Sequence, residues 1–313
     1  MFRLAIIIPY YKINFFRETL TSLEKQTCKE FSLYIGNDCS RDDPLDLIKE
    51  ILKTTPYKYQ RFQDNLGGKN LVQQWERVIT HAKPDEWFMI LGDDDVLSKN
   101  FVEEFYKILD KANKQNCNVI RFGQRWIDET NEILSPLTQY PELIAPADHI
   151  HWKIIDKKKS SLSEHVFRKS AYEKFKFRNF PLAWNSDDMA IFECSGGNPI
   201  IFSSSAYVNV HVTSESISGK SDNSDQKLLS KKQFEKILLS KYHRQLRKDT
   251  VRQLANEHIY FLQHHKTPLN FNLLKIFIYT GDIKKLLQIP ILYALSAKIL
   301  LQSFIRNEMT NKR

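Results

Sequence analysis

Apolar and polar positions fall in blocks along the first part of the chain, and the blocks set an order of elements. "LAIIIPYY" (4–11) is a continuous apolar run of the kind a buried parallel strand carries. In "FFRETLTSLEKQT" (15–27), Phe16, Leu20 and Leu23 recur at helical spacing. "FSLYIGND" (31–38) reads as a second strand and 42–52 as a second helix. A helix over about 69–81 carries Leu71, Val72, Trp75, Val78 and Ile79, and "EWFMIL" (86–91) follows as a strand. This βαβαβ order predicts an α/β fold with a mostly parallel, Rossmann-like central sheet, right-handed crossovers and flanking helices.

From residue 117 the pattern changes. "NVIRFGQRWID" reads as a strand, the Pro-containing stretch 135–146 as a loop, and "SLSEHVFRKSAYEKF" as a strand turning into a helix. "PLAWNSDDMAIFECS" leads into another helix, and "PIIFSSSAYVNVHV" gives strands. The Ser-, Asp- and Gly-rich stretch 213–226 predicts a flexible loop or lid and a boundary. Helices fill the remainder, and no internal repeat is present.

Composition narrows the class. With 313 residues, 42% hydrophobic and 27% charged, the chain has the make-up of a soluble globular protein, which excludes disordered and fibrous classes. Cys28, Cys39, Cys117 and Cys194 are scattered without a CxxC pair, so they read as free thiols of a reducing cytoplasm. "MFRLAIIIPYY" has one basic residue and reaches a proline after a short apolar run, which fits a first strand and not a secretory signal.

The net charge of +9 resides in the C-terminal third, where Lys220 to Arg313 hold 18 Lys and Arg against 7 Asp and Glu. "LLQIPILYALSAKILLQSFIR" (286–306) is apolar but contains Pro290, Lys298 and two glutamines, short of a continuous transmembrane span. It reads either as an interfacial helix drawn to anionic lipid or as a helix packing on the rest of the chain or on a second subunit of a homo-oligomer. Nucleic acid is set aside, because the basic block lacks a binding motif or aromatic-interleaved strands.

Ligands of open parallel sheets bind beyond the carboxyl ends of the strands, where this chain has "NDCSRDD" and "GDDD". The GxGxxG and P-loop patterns are absent. Three consecutive aspartates are costly, since two charges about 4 Å apart repel by about 1 kcal/mol in water and about 4 kcal/mol at a protein surface. A cation, a shared proton or exposure on a loop would offset that. In an extended segment Asp93 and Asp95 share a face and Asp94 points away, a spacing suited to Mn²⁺ or Mg²⁺ with a nucleotide.

"IIIPYY", "GNDCSRDD", "NLGGKN", "GDDD" and "SDD", in that order over residues 3–218, resemble the motifs of glycosyltransferase family 2, whose fold is GT-A. The resemblance implies a catalytic domain over 1–218, with a nucleotide-binding half to about 116 and an acceptor half from about 117. Residues 219–313 remain as a basic helical extension. It further implies an inverting, metal-dependent transfer from a nucleotide-sugar donor, UDP-linked by preference, to a glycan or lipid-linked acceptor. The setting it implies is capsule or O-antigen assembly, in the cytoplasm or at the inner membrane face.

Residue by residue, the resemblance makes Asp95 the main ligand of Mn²⁺ or Mg²⁺ and puts Asp93 near the ribose or the metal, with the part of Asp94 open. Asp38 would accept the imide N–H of uracil, although Asn37 and Cys39 replace an aspartate and a glycine of the motif; a turn or N-cap aspartate is the other reading. Pro9 with Tyr10 or Tyr11 would line the base pocket, the other tyrosine joining the core. Asn65 and Lys69 would approach the donor, Lys69 meeting phosphate, although a plain loop before a helix would carry the same residues. Asp188 would be the general base, tuned by Asp187, and both also suit the first turn of a helix. His211 would ligate the metal or face the diphosphate, or serve a strand structurally, and the Ser-rich stretch after it would close over the donor. Glu164 and Trp184 would touch the acceptor. The rivals are a nucleotidyltransferase, which would carry a Gly-rich basic loop where "PYYKINFF" stands, and an inactive binding module of the same fold.

Overall fold

The computed structural model describes residues 3–83, 86–213, 223–266, 268–269 and 272–310. Strands β1 (Leu4–Tyr10), β2 (Phe31–Asn37), β3 (Tyr57–Arg61) and β4 (Trp87–Ile90) alternate with helices α1 (Phe16–Glu24), α2 (Leu45–Ile51) and α3 (Leu71–Ala82). They lie in the order β3-β2-β1-β4, and every pair is parallel. The chain leaves β1 toward one side to form β2 and β3 and returns on the other as β4. The carboxyl end of β1 is therefore the point where strand order reverses, the usual place for a ligand crevice.

Then come β5 (Val96–Leu97), α4 (Phe101–Lys114), β6 (Val119–Ile127), β7 (Leu143–Ile144), α5 (Pro146–Ile154), β8 (His165–Arg168), α6 (Lys169–Phe175), α7 (Ser186–Ser195) and β9 (Ile200–His211). The sheet continues β4-β8-β6-β9-β5, with β7 along β9. The β6–β9 ladder is long and parallel, whereas the antiparallel pairings of β4–β8, β6–β8, β5–β9 and β7–β9 span two or three residues each. The expected α/β sheet with flanking helices is the one observed. The C-terminal helices are α8 (Ser224–Ile237), α9 (Lys248–His265), α10 (Leu273–Thr280), α11 (Ile283–Leu286) and α12 (Ile289–Thr310). The chain forms two compact units, Met1–His149 with Lys158–Lys231, and Ile150–Lys157 with Lys232–Arg313.

The apolar runs form the core as their periodicity requires. Leu4, Ile6 and Ile8 of β1 are fully buried with Phe16, Leu20 and Leu23 of α1, and Phe101, Phe105 and Leu109 of α4 cover the same cluster. Five elements go beyond the sequence reading. β3 is half exposed and mixed in character, β5 and α4 lie just past the aspartates, β7 lies inside the stretch read as a loop, and α5 follows that stretch from its last residue. Helix α2 starts later than expected, at Leu45, because Pro44 ends the turn and Asp43 accepts the N–H of Leu45 at 3.1 Å. The Ser-rich stretch read as a lid falls mostly on 214–222, outside the described residues.

Gly36 sets how closely α3 approaches β2. A Cβ there would lie 2.6 and 2.9 Å from the two methyls of Val78 and 3.1 Å from the ring of Phe62. Gly36→Ala is expected to cost about 1–3 kcal/mol by overpacking. In urea denaturation, adding Val78→Ala should bring the total below the sum of the two single costs, because the smaller side chain makes room.

Candidate active site

The carboxyl ends of β1, β2 and β4 bring three loops together. Pro9 has no N–H to give, and it falls just past the last β1–β4 pair, Ile7 with Ile90, where none is needed. Of the two tyrosines read for the base pocket, Tyr10 is instead fully buried. Its ring packs on Phe16 at 4.6 Å and its hydroxyl donates to the carbonyl of Asp42 at 2.8 Å. The alternation of β1 explains this correction, since Tyr10 follows Ile6 and Ile8 onto the core face. Tyr11 is the exposed tyrosine, at 44%.

The aspartate triplet is a β-turn, not an extended segment. The N–H of Asp95 donates to the carbonyl of Gly92 at 3.2 Å, so Asp93 and Asp94 occupy the corner of the turn. The face shared by Asp93 and Asp95 is therefore replaced by another arrangement. One oxygen of Asp93 accepts the N–H groups of Tyr11 and Lys12, each at 2.7 Å, and so ties the turn to the loop after β1. Asp95 is buried, accepting the hydroxyl of Ser163 on one oxygen and the N–H of His211 at 3.3 Å on the other. A Cβ on Gly92 would stand 2.8 Å from Asp95 Oδ2 and 3.0 Å from Asp94 Oδ1, so glycine leaves room for both carboxylates. It is Asp94, not Asp93, that shares this space with Asp95.

Burial raises the carboxyl of Asp93 to about 7, with the charge of Asp94 adding to the rise against the two backbone donors. Burial also raises Asp94, against the attraction of Lys12. Asp95 is raised well above the carboxylate range by burial and then by Asp94. All three carboxyls are thus shifted upward, Asp93 and Asp95 by the charge of Asp94 as well as by burial.

Strand register brings His211 to this turn. Val96 pairs with Asn209 and Leu97 with Val208, so the antiparallel ladder carries His211 opposite Asp94. The ring Nδ1 bonds the carbonyl of Asp94, and Phe15 stacks on the ring at 4.4 Å. A carbonyl can only accept, so Nδ1 bears the proton, and in the neutral ring Nε2 keeps its lone pair. That Nε2 is buried and has no hydrogen-bond partner among the described residues.

Asp38, at the end of β2, is almost fully buried and committed to the protein. It accepts the N–H of Leu66 at 2.9 Å and of Gly67 at 2.7 Å, and Arg77 of α3 bonds it as well. The "NLGG" loop is folded onto this carboxylate. Gly67 is required there, since a Cβ would come within 2.7 Å of Asp38 Oδ2. Asn65 accepts the N–H of Gly68 at 2.6 Å, and Lys69 is exposed. Cys39 takes φ 57°, the left-handed conformation for which the motif uses glycine.

The second acidic pair opens α7. Asp188 is fully buried, with the amide of Asn185 donating to one oxygen at 3.2 Å and His149 Nε2 lying 3.6 Å from the other. Asp187 is half buried. The backbone before them is strained, as Leu182, Ala183 and Asn185 all have φ between 55° and 66°, a region that residues with a Cβ avoid. Trp184 lies among them with Lys227 over its ring at 4.9 Å. Glu164, expected against an acceptor, is corrected to a core role. It is fully buried in an ion pair with Arg121 at 2.9 Å and accepts from Ser161.

Among the described residues no three His, Cys, Asp or Glu side chains gather as a metal-holding group, so Asp93, Asp95 and His211 do not form the expected cluster. The turn accounts for this, since it directs Asp93 to the loop after β1. Asp95 with the unpartnered imidazole still fits a cation, because Mn²⁺ or Mg²⁺ at a nucleotide takes one or two carboxylates and completes its shell with phosphate oxygens. A ligating histidine commonly donates its other N–H to a carbonyl, as His211 does. Sequence reasoning missed Ser163, Arg77, Asn185 and His149. Only Arg77 left a trace, one helical turn beyond Gln74, to which it donates at 2.8 Å.

Comparison with known proteins agrees with this architecture. Residues 5–179, more than half of the chain, match the family model described as "Glycosyl transferase family 2". An uncharacterized glycosyltransferase of Rickettsia bellii is 26% identical over 152 residues, 48% of this chain and 21% of the relative. The poly(ribitol-phosphate) beta-N-acetylglucosaminyltransferase TarS of Staphylococcus aureus is 24% identical over 114 residues, 36% of this chain and 19% of TarS. The matches thus span about a fifth of these relatives' length. The crystal structure of TarS residues 1–349 in complex with UDP-GlcNAc shares the fold, with a TM-score of 0.60 at 16% identity over 84% of this chain and 73% of that one. A structure of GalNAc-T7 with UDP, GalNAc and Mn²⁺ superposes with a TM-score of 0.52 at 12% identity, over 84% of this chain and 56% of that one. By its motifs, its fold and the extent of the match, the chain belongs to glycosyl transferase family 2.

Proposed function

We propose that the protein is an inverting, metal-dependent glycosyltransferase that moves a hexose or N-acetylhexosamine from a UDP-linked donor to a glycan or lipid-linked acceptor. The observation that carries the reading is the aspartate turn at the switch point of the sheet, with Asp95 buried and the lone-pair nitrogen of His211 beside it. TarS, which shares the fold, was crystallised with UDP-GlcNAc, and this supports a UDP-sugar donor. A cytoplasmic place in the assembly of a surface polysaccharide, of the capsule or O-antigen kind, suits the four free thiols and a donor of this type.

Asp95 and His211 would hold the cation, with Asp94 adjoining. When bound, the metal supplies positive charge to the departing diphosphate. Asp93 fixes the loop after β1, which would present Tyr11 to the donor beside Pro9 at the end of the strand. Asp38 orders the "NLGG" loop, which carries Asn65 and Lys69, and would read uracil only by exchanging one of its present donors. Asp188 accepts the proton of the acceptor hydroxyl as that oxygen attacks the anomeric carbon on the face opposite the diphosphate, which inverts the centre. Asn185 donates to its carboxylate, His149 Nε2 lies 3.6 Å from the other oxygen, and Asp187 lies next to it at the helix start.

Asp188→Asn keeps the shape and removes the base. Transfer measured as UDP release with acceptor should fall by about 10²–10⁴ while calorimetric binding of the UDP-sugar stays unchanged. Full activity in that variant would rule out Asp188 as the base.

Cation binding carries a sign in pH. Folded Asp93 retains a proton to about 7 that the unfolded chain releases in the ordinary carboxylate range. Folding therefore takes up a proton between those values, and the metal-free protein should lose stability as pH rises toward 7. Thermal unfolding should show Mn²⁺ with UDP raising Tm more at pH 8 than at pH 5, where protons compete for the carboxylates. His211→Ala should weaken the Mn²⁺ effect about 10–100-fold in apparent affinity, the scale of losing a ligand or its support. An equal Mn²⁺ response at both pH values would count against the aspartate turn as the cation site.

A further inference from the structure

Helix α12 is apolar on two opposite faces. Leu292, Ser296 and Ile299 are buried, and the hydroxyl of Ser296 accepts the N–H of Leu269 at 2.9 Å. On the other side Ile291 is 71% exposed and Leu301 61%, and Phe304 is exposed with them. The preceding turns continue this character, with Ile278 of α10 and Ile283 of α11 exposed and Leu287 exposed at 79%. A water-facing helix ordinarily puts polar residues there, and a helix apolar all round is one that something covers. Among the described residues no helix is long and apolar enough to cross a membrane.

The charges name the cover. From 274 to 304 the charged residues are Lys275, Lys284, Lys285, Lys298 and Asp282. Asp282 is already engaged, accepting the N–H of Lys285 at the start of α11 at 3.2 Å. A second copy docked through this face on a two-fold axis would set lysines against lysines. A bilayer with anionic headgroups meets both features, taking the apolar side chains at the headgroup boundary and the lysines at the phosphates. We infer that α10, α11 and α12 form a docking surface for anionic phospholipid, with α12, about 33 Å long, lying in the plane of the interface. This inference is read by binding alone, so it stands or falls separately from the transferase assignment.

The test is co-sedimentation of the full chain with vesicles of phosphatidylcholine alone and of phosphatidylcholine mixed with phosphatidylglycerol. Binding to the mixed vesicles should be at least tenfold stronger and should weaken in about 0.5 M salt, where screening shortens to a few ångströms. Lys285 already donates to Asn256, so the test uses the exposed lysines: replacing Lys275, Lys284 and Lys298 by Gln should cost about fivefold per lysine on the anionic vesicles. Ile291→Asp with Leu301→Asp should abolish sedimentation while the circular dichroism spectrum is kept, since both side chains are exposed. Absence of binding to either vesicle overturns the inference. So does a concentration-dependent dimer, seen by analytical ultracentrifugation, that Leu301→Asp dissociates.

Discussion

Three consecutive carboxylates at the end of one strand, Asp95 buried and Asp93 and Asp94 half-buried, are the constraint around which the catalytic unit is arranged. Like charges in a poorly hydrated place cost several kcal/mol unless they are bonded, neutralised or separated. The molecule bonds and separates them. The turn at Gly92 sends Asp93 to two backbone donors of the loop after β1, while Asp95 goes to Ser163 and to the end of β9. Asp94 is left at the corner, raising the carboxyl values of both neighbours.

The surroundings of the turn follow from this. Four strands in the order β3-β2-β1-β4 put the ends of β1, β2 and β4 side by side, and the parallel register aligns Tyr10 with Asn37. The register of β5 on β9 then brings an imidazole opposite the acidic corner from more than a hundred residues away. Phe15 stacks on that ring, so the loop after β1 is held at both ends, by Asp93 and by His211. A second carboxylate, Asp38, does for the "NLGG" loop what Asp93 does for the first, gathering backbone N–H groups that would otherwise lack partners.

The sequence was informative where periodicity and order carry the signal. The parallel strands announce themselves as apolar runs, and the acidic clusters fall at their ends. Where the answer depends on local backbone geometry it was silent or misleading. "GDDD" looks extended in a sequence, but a hydrogen bond from Asp95 to Gly92 makes it a turn and reverses which aspartates are neighbours. Tyr10 and Tyr11 cannot be told apart by composition; the inward alternation of β1 chooses between them. Ser163, Asn185 and His149 are single polar residues whose partners are distant in sequence or set by unusual φ values, so no spacing rule finds them. β3 escaped for a related reason, because a half-exposed edge strand carries polar residues on the side that a core strand would make apolar.

The closing role of β9 bears on how such a protein can be divided. The family match ends at residue 179, whereas Asp188 opens α7 and His211 ends β9, both beyond it. β9 is also an interior strand, paired with β6 along most of its length and with β5 on the other side. A gene fragment cut where the match ends would encode the acidic corner without the strand that completes its sheet, and would leave β6 as an open edge. Exchange of such a segment between related genes, by recombination or by design, therefore has its natural joint after residue 211 and not before it.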